Sequence, residues 1–191
     1  MDSTSLVVIT EDNRFNRRLT KFQCYLTYFF IFSFVGWFLE TIYSYFVLGH
    51  FANRGFLFGP VCPIYGFGAL ILLVFLDKFK DQPIKLFFAA VIVFSIFEYF
   101  IGYALDALYN LWLWDYKNEF LNINGRICLF FSIAWGVVAL VFNYILFPVF
   151  KNFLSFISSK IPIKLQVIAI NLCTMIFVID VLYSLIQYST F

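Results

Sequence analysis

Residues 34–68 read FVGWFLETIYSYFVLGHFANRGFLFGPVCPIYGFG. An apolar helical run carries a single acid, Glu40, and passes through the turn Asn53-Arg54-Gly55. It then enters a second apolar run interrupted by Gly59, Pro60, Pro63, Gly66 and Gly68. A segment that only crossed a membrane would need neither the acid, nor the arginine, nor the broken entry. The pattern points to half of an outward-facing polar site inside a bundle of membrane helices.

The remainder of the chain agrees that lipid is the solvent. Of 191 residues, 63% are hydrophobic and 13% charged, with a mean hydropathy of +0.90. Soluble domains are about 45–50% apolar and about 25% charged. A domain of this length has too little interior to hide that much apolar surface. A span needs about 20 mostly apolar residues. Five runs qualify or nearly qualify: about Cys24–Leu48, Pro60–Leu76, Leu86–Tyr109, Ile127–Phe150 and Leu165–Tyr188. Unpaired backbone is not tolerated in lipid, and these runs are too long for barrel strands, so each is expected to be a helix. The expected fold is an all-α polytopic transmembrane helix bundle of about five spans, or six if the loop at Trp112 re-enters. Residues 1–23 form a polar tail and residues 24–188 a single transmembrane domain. The first apolar run exceeds a signal-peptide core of about 7–15 residues and is expected to be retained.

Basic residues orient the bundle. Ten of them (Arg14, Arg17, Arg18, Lys21, Lys78, Lys80, Lys85, Lys151, Lys160 and Lys164) fall on one face if there are five spans. The other face receives Arg54, Lys117 and Arg126. The N-terminus is therefore expected in the cytoplasm and the C-terminus outside, in a multi-pass protein of the cell membrane. Trp112 and Trp114 suit the headgroup level of the outer face.

Four acids lie inside apolar runs: Glu40, Glu98, Asp106 and Asp180. A charge at the bilayer centre costs at least about 2.5–3.5 kcal/mol, so such residues should face the interior and find partners. Glu40 shares a helical stripe with Ser33, Gly36 and Ser44; Glu98 and Asp106 share one with Ser95 and Gly102; Ser132, Gly136 and Asn143 form a third. Stripes of small and polar residues permit close packing in lipid, and the three are expected to face one another. Arg54 and Arg126, at the outer ends of spans two and four, are placed to neutralise Glu40, Glu98 or Asp106. Asp180 has no evident partner. The broken entry to span two either lines a polar cavity, where free N–H groups would favour an anion, or is a tight turn with close helix packing. Glu40, an Asn-Arg-Gly turn and Cys62 are followed by Glu98, an Asn-Gly-Arg turn and Cys128, an order that suggests a repeat with unequal spacing. Cys62 and Cys128 share the outer side, either as a bridge or as small core residues.

Several chemistries are excluded. There is no GxxxxGK[ST] and no GxGxxG, and the one histidine, His50, rules out a histidine-rich metal site. The four cysteines form no CxxC pair. No cofactor, no metal and no nucleic-acid partner is expected.

The runs GWFLETIY, NRGFLFGPVCPIYGFGAL, LWDY and LNINGRICLFFSIAWG resemble the family named putative ABC-transporter type IV, also called CmpB-like, over roughly Gly36 to Phe150. Its characteristic runs contain Glu40, Arg54, Asp115, Asn124 and Arg126. The resemblance implies a permease-like transport subunit, which would need a separate ATPase. Residue reading and resemblance together give an expected substrate-binding set of Glu40, Arg54, Glu98, Asp106, Asn124 and Arg126. The expected partners are the lipid bilayer and an ATPase subunit, with oligomerisation left open. Two alternatives stand beside transport. One is a membrane-embedded enzyme acting on lipid or polyprenyl head groups. The other is an accessory subunit that stabilises another membrane complex.

Overall fold

The computed structural model describes residues 19–50 and 55–189. It is all-helical: among the described residues the sole β feature is an isolated bridge between Ile123 and Ile127. Helix α1 spans Lys21–Leu48. Thr20 and Gln23 cap its start reciprocally, each side chain accepting from the other's N–H, and Gly49 ends it with a left-handed φ of 74°. Helix α2 spans Pro63–Ile71 and continues through a π turn at Leu72–Leu76 and a 3-10 turn at Asp77–Phe79. Helix α3 spans Pro83–Tyr109. Helix α4, Leu129–Val141, runs through a π turn at Phe142–Leu146 into α5, Phe147–Lys160. Helix α6 spans Ile163–Ser189.

Four helical stretches are long and apolar enough to cross a membrane: Lys21–Val47, Pro83–Tyr109, Leu129–Lys160 and Ile163–Ser189. The α2 stretch is the fifth helix and the short one. The expected inner loop after span four does not exist as a loop. Residues 151–160 continue the helix, and only Ile161 and Pro162 separate α5 from α6. The polar residues there had suggested a loop. However, Lys151, Ser155 and Ser159 alternate at helical spacing with Phe153, Leu154, Phe156 and Ile157, and helix continuation needs only that amphipathic period. The π turn before α5 has a local cause: Pro148 cannot donate to, and clashes with, the carbonyl four residues earlier.

The three polar stripes do not all converge: those of α3 and α4 meet at Ser95 and Ser132, while that of α1 packs on α2. In the first hairpin, α1 packs on α2. A Cβ added at Gly66 would lie 2.1 Å from Ser33 Oγ and 2.7 Å from the Phe29 carbonyl oxygen, and one at Gly36 would strike the Tyr65 ring. In the second, α3 packs on α4. Ser95 donates to Ser132 at 2.7 Å, and a Cβ at Gly136 would meet Phe87 at 2.6 Å and Val91 at 2.8 Å. Lipid gives helices no hydrophobic reason to associate, so close approach and dispersion must do it. Where the backbones touch, no side chain fits.

Each second helix starts well below the top of the first. The Cys62 N–H donates to the Ser33 carbonyl at 2.9 Å, and α1 continues from Ser33 to Leu48, roughly 22 Å further at 1.5 Å per residue. Likewise Ser132, one turn into α4, lies level with Ser95, and α3 continues to Tyr109. The starts of α2 and α4 therefore lie beside the middle of α1 and α3. Buried Leu72, Leu76, Leu86, Ala90, Phe94 and Phe142 join Tyr28 and Phe32 in the core below them. The outward faces are mostly apolar, as with Phe46, Phe88, Phe100, Ile176 and Leu182.

Gly66→Ala should separate α1 from α2 and lower stability by about 1–3 kcal/mol, the usual range for overpacking. Unfolding of the purified variant in a detergent–SDS titration checks it; a midpoint equal to wild type would refute the packing described.

Candidate functional site

Glu98 sits sixteen positions into α3, counting Pro83 as the first, and is 4% exposed. Its two carboxylate oxygens take one neutral donor each. Trp135 Nε1 of α4 donates to Oε2 at 2.9 Å, and Tyr116 Oη of the α3–α4 loop donates to Oε1 at 3.0 Å. Trp135 is held by stacking on Phe94, ring centroids 5.3 Å apart, and Tyr116 by stacking on Phe131 at 4.6 Å. The backbone of Tyr116 is itself fixed, its N–H donating to the Gly125 carbonyl at 2.8 Å. Burial drives the Tyr116 phenol well above the ordinary tyrosine range, and the negative charge of Glu98 drives it further. It stays protonated and donates.

Glu40 of α1 belongs to the same centre. Tyr65 Oη of α2 donates to it, and the Tyr65 ring lies 6.2 Å from that of Trp135. The two hairpins thus bring two carboxylates toward one aromatic group, each acid on the first helix of its hairpin and each met by a ring from the second. Each second helix also carries a π turn.

Asp106 lies two turns above Glu98 and forms a separate cluster with Arg126. The pair is not fully exposed, with side-chain accessibilities of 25% and 13%. Trp112 Nε1 donates to the other Asp106 oxygen at 2.8 Å. The guanidinium carbon lies 5.8, 5.5 and 5.2 Å from the ring centroids of Tyr99, Tyr103 and Trp112, within cation–π range. Trp114 Nε1 donates to the Arg126 carbonyl at 2.9 Å. Asn124 and Gly125 both have positive φ, 51° and 66°, and the Arg126 N–H closes onto the Ile123 carbonyl at 3.0 Å. This is the Asn-Gly hairpin turn that such a pair favours. Asn124 itself is exposed and donates to Tyr99 Oη.

Several expectations need correction. Arg126 reaches Asp106, one of the three acids within its expected range, while both glutamates are met by neutral hydroxyl or indole groups and not by an arginine. A phenol or indole satisfies a carboxylate without a second buried ion to desolvate. Asp180 does have partners. It accepts from the N–H groups of Phe58 at 3.1 Å and Gly59 at 2.9 Å, pinning the segment that leads into α2 against α6. The broken entry does expose N–H groups to an anion, and that anion is the protein's own. A Cβ at Gly59 would lie 2.7 Å from the Asp180 carboxylate, so a larger residue there would displace that side chain. Cys62 and Cys128 are free, buried thiols at the N-caps of α2 and α4. Arg54 lies outside the described residues.

Reasoning from sequence missed Tyr65, Tyr116 and Trp135. Trp135 was the most legible of them, since it falls three residues after Ser132 on the same helical face. Tyr116 sits in a loop whose aromatic residues had suggested an interfacial belt.

These features define a polytopic helical membrane protein with an acidic, aromatic-lined centre between two helix hairpins. Residues 27–185 match the family described as Putative ABC-transporter type IV, and the chain belongs to that family. No match was found among curated proteins or among solved structures.

Asp106→Asn should leave the Arg126 charge uncompensated and destabilise the fold by about 1–3 kcal/mol, less than the roughly 3–5 kcal/mol of a fully buried pair. Asp106→Asn with Arg126→Gln should cost less than the sum of the two single changes. A double-mutant cycle of thermal unfolding in detergent measures the coupling, and strict additivity would count against the ion pair.

Proposed function

We propose that the chain is the permease-like membrane subunit of a transport system, accepting a polar solute or ion at the Glu40–Glu98 centre from the outer side. The observation that carries this reading is Glu98: a carboxylate 4% exposed, deep in a long apolar helix, partnered by two neutral donors. An ion pair placed for stability alone would have brought a base. Among the described residues no basic side chain pairs with Glu98 or Glu40, and the nearest arginine turn spends its charge on Asp106. Ionisable groups kept in a membrane interior at such cost mark ion and solute pathways. Asp106, Asn124 and Arg126 form the outer approach in this reading, and Arg54 joins it by its place in the sequence. Family membership supports a transport role in general terms.

The sequence holds no nucleotide-binding motif, so ATP coupling would come from a separate subunit. Its docking surface would be the inner ends of the hairpins, around Asp77–Phe79 and the α5–α6 turn. Orientation follows from the lysines and arginines, with the N-terminus cytoplasmic and the C-terminus outside.

A tagged chain purified from native membranes in mild detergent should bring down an ATPase subunit in stoichiometric amount. Recovery of none overturns the ABC reading. Glu98→Gln should retain that complex while abolishing the transport phenotype shared with a deletion strain; full activity of the Gln variant would remove the site. In a background lacking the four native thiols, Glu119→Cys should react with an impermeant maleimide on intact cells and Gln82→Cys only after permeabilisation. The reverse pattern would invert the topology.

A further inference from the structure

At the inner end, α5 and α6 diverge from a two-residue turn and leave an apolar groove of about 190 Å³ against α1. Thr27, Leu154, Ile157, Leu165, Ala169 and Ile170 line it. Its polar neighbours are already satisfied. Gln166 Nε2 donates to the carbonyls of Ser158 at 3.0 Å and Ile161 at 2.8 Å, capping the end of α5. Thr27 and Ser158 donate to carbonyls in their own helices. The groove therefore offers dispersion contacts and asks for no hydrogen bond.

Charge marks its mouth. Lys160 ends α5 and Lys164 opens α6, flanking Ile161 and Leu165, and both are exposed. The positive end of the α6 dipole lies at the same turn. Lys21, exposed at the start of α1, is on the same end of the bundle as Thr27 of the groove. A transmembrane helix, about 10 Å across, does not enter a groove of this size, whereas an acyl chain does. Apolar chain below and anionic group above is the chemistry of an anionic phospholipid.

We infer that this groove is a binding site for an anionic phospholipid, the acyl chain lying between α5, α6 and α1 and the head-group phosphate against Lys160 and Lys164. The site lies at the opposite end of the bundle from the acidic centre and does not depend on the function proposed for it. A bound lipid there would wedge the short α5–α6 turn and set the angle between the two helices.

The test uses the full chain purified in mild detergent and exchanged into nanodiscs of phosphatidylglycerol or of phosphatidylcholine. Native mass spectrometry should show one phosphatidylglycerol retained per chain and no comparable phosphatidylcholine adduct. Each lysine near an anionic lipid contributes roughly a fivefold factor, so Lys160→Gln with Lys164→Gln should weaken retention roughly 25-fold. Ala169→Phe should fill the groove and abolish retention while leaving helicity and monodispersity unchanged, a control that holds even if the lysine variant folds poorly. Equal retention of both lipids would overturn the proposal. So would retention unaffected by Ala169→Phe, a rise in thermal stability produced equally by inorganic phosphate, or Ala169→Phe altering only the oligomeric state.

Discussion

The carboxylate of Glu98 constrains the molecule more than any other group. Placed deep in an apolar helix, it must find hydrogen-bond donors or remain at a prohibitive desolvation cost. One donor, Trp135, comes from the neighbouring helix. The other, Tyr116, comes from the α3–α4 loop, which must therefore fold back against the helices. That return in turn fixes the Asn124-Gly125 turn, the Arg126 guanidinium and the Asp106 pair above it. The α3–α4 loop and the helix ends it joins are thus arranged about one buried acid.

The first hairpin solves a similar problem with shorter means. Glu40 is met by Tyr65 directly from α2, and the segment before α2 is tied both to Asp180 of α6, through Phe58 and Gly59, and to the Ser33 carbonyl of α1, through Cys62. Close packing through Gly36 and Gly66 brings α2 near enough for a single phenol to reach. In each hairpin an acid of the first helix meets an aromatic group of the second, and only the second hairpin adds a donor from its loop.

The opposite half of the bundle is ordinary by comparison. Aromatic and aliphatic side chains fill it, and the π turn ahead of Pro148 lets Asn143 and Tyr144 both donate to the Lys80 carbonyl where α2 ends. Those bonds close a carbonyl that the 3-10 turn leaves without an internal partner. Rigid packing below and a polar, loop-built region above give the bundle two unlike ends.

Composition and apolar run length alone determined the class of the protein and the course of α1, α3 and α6, because lipid permits only helices and sets their length. The same rules located the buried acids and the small-residue stripes. They misjudged the end of α4, since a run-length test stops at polar residues while an amphipathic helix does not. Which stripe meets which, and which donor reaches which acid, was decided only in three dimensions. Arg126 could have served any of three carboxylates by its position in the sequence. Loop closure at Asn124-Gly125 aims it at Asp106 and leaves Glu98 to Tyr116 and Trp135. Sequence spacing fixes what lies along one helix; contacts across helices depend on rotation and depth, and those are set by where backbones can touch.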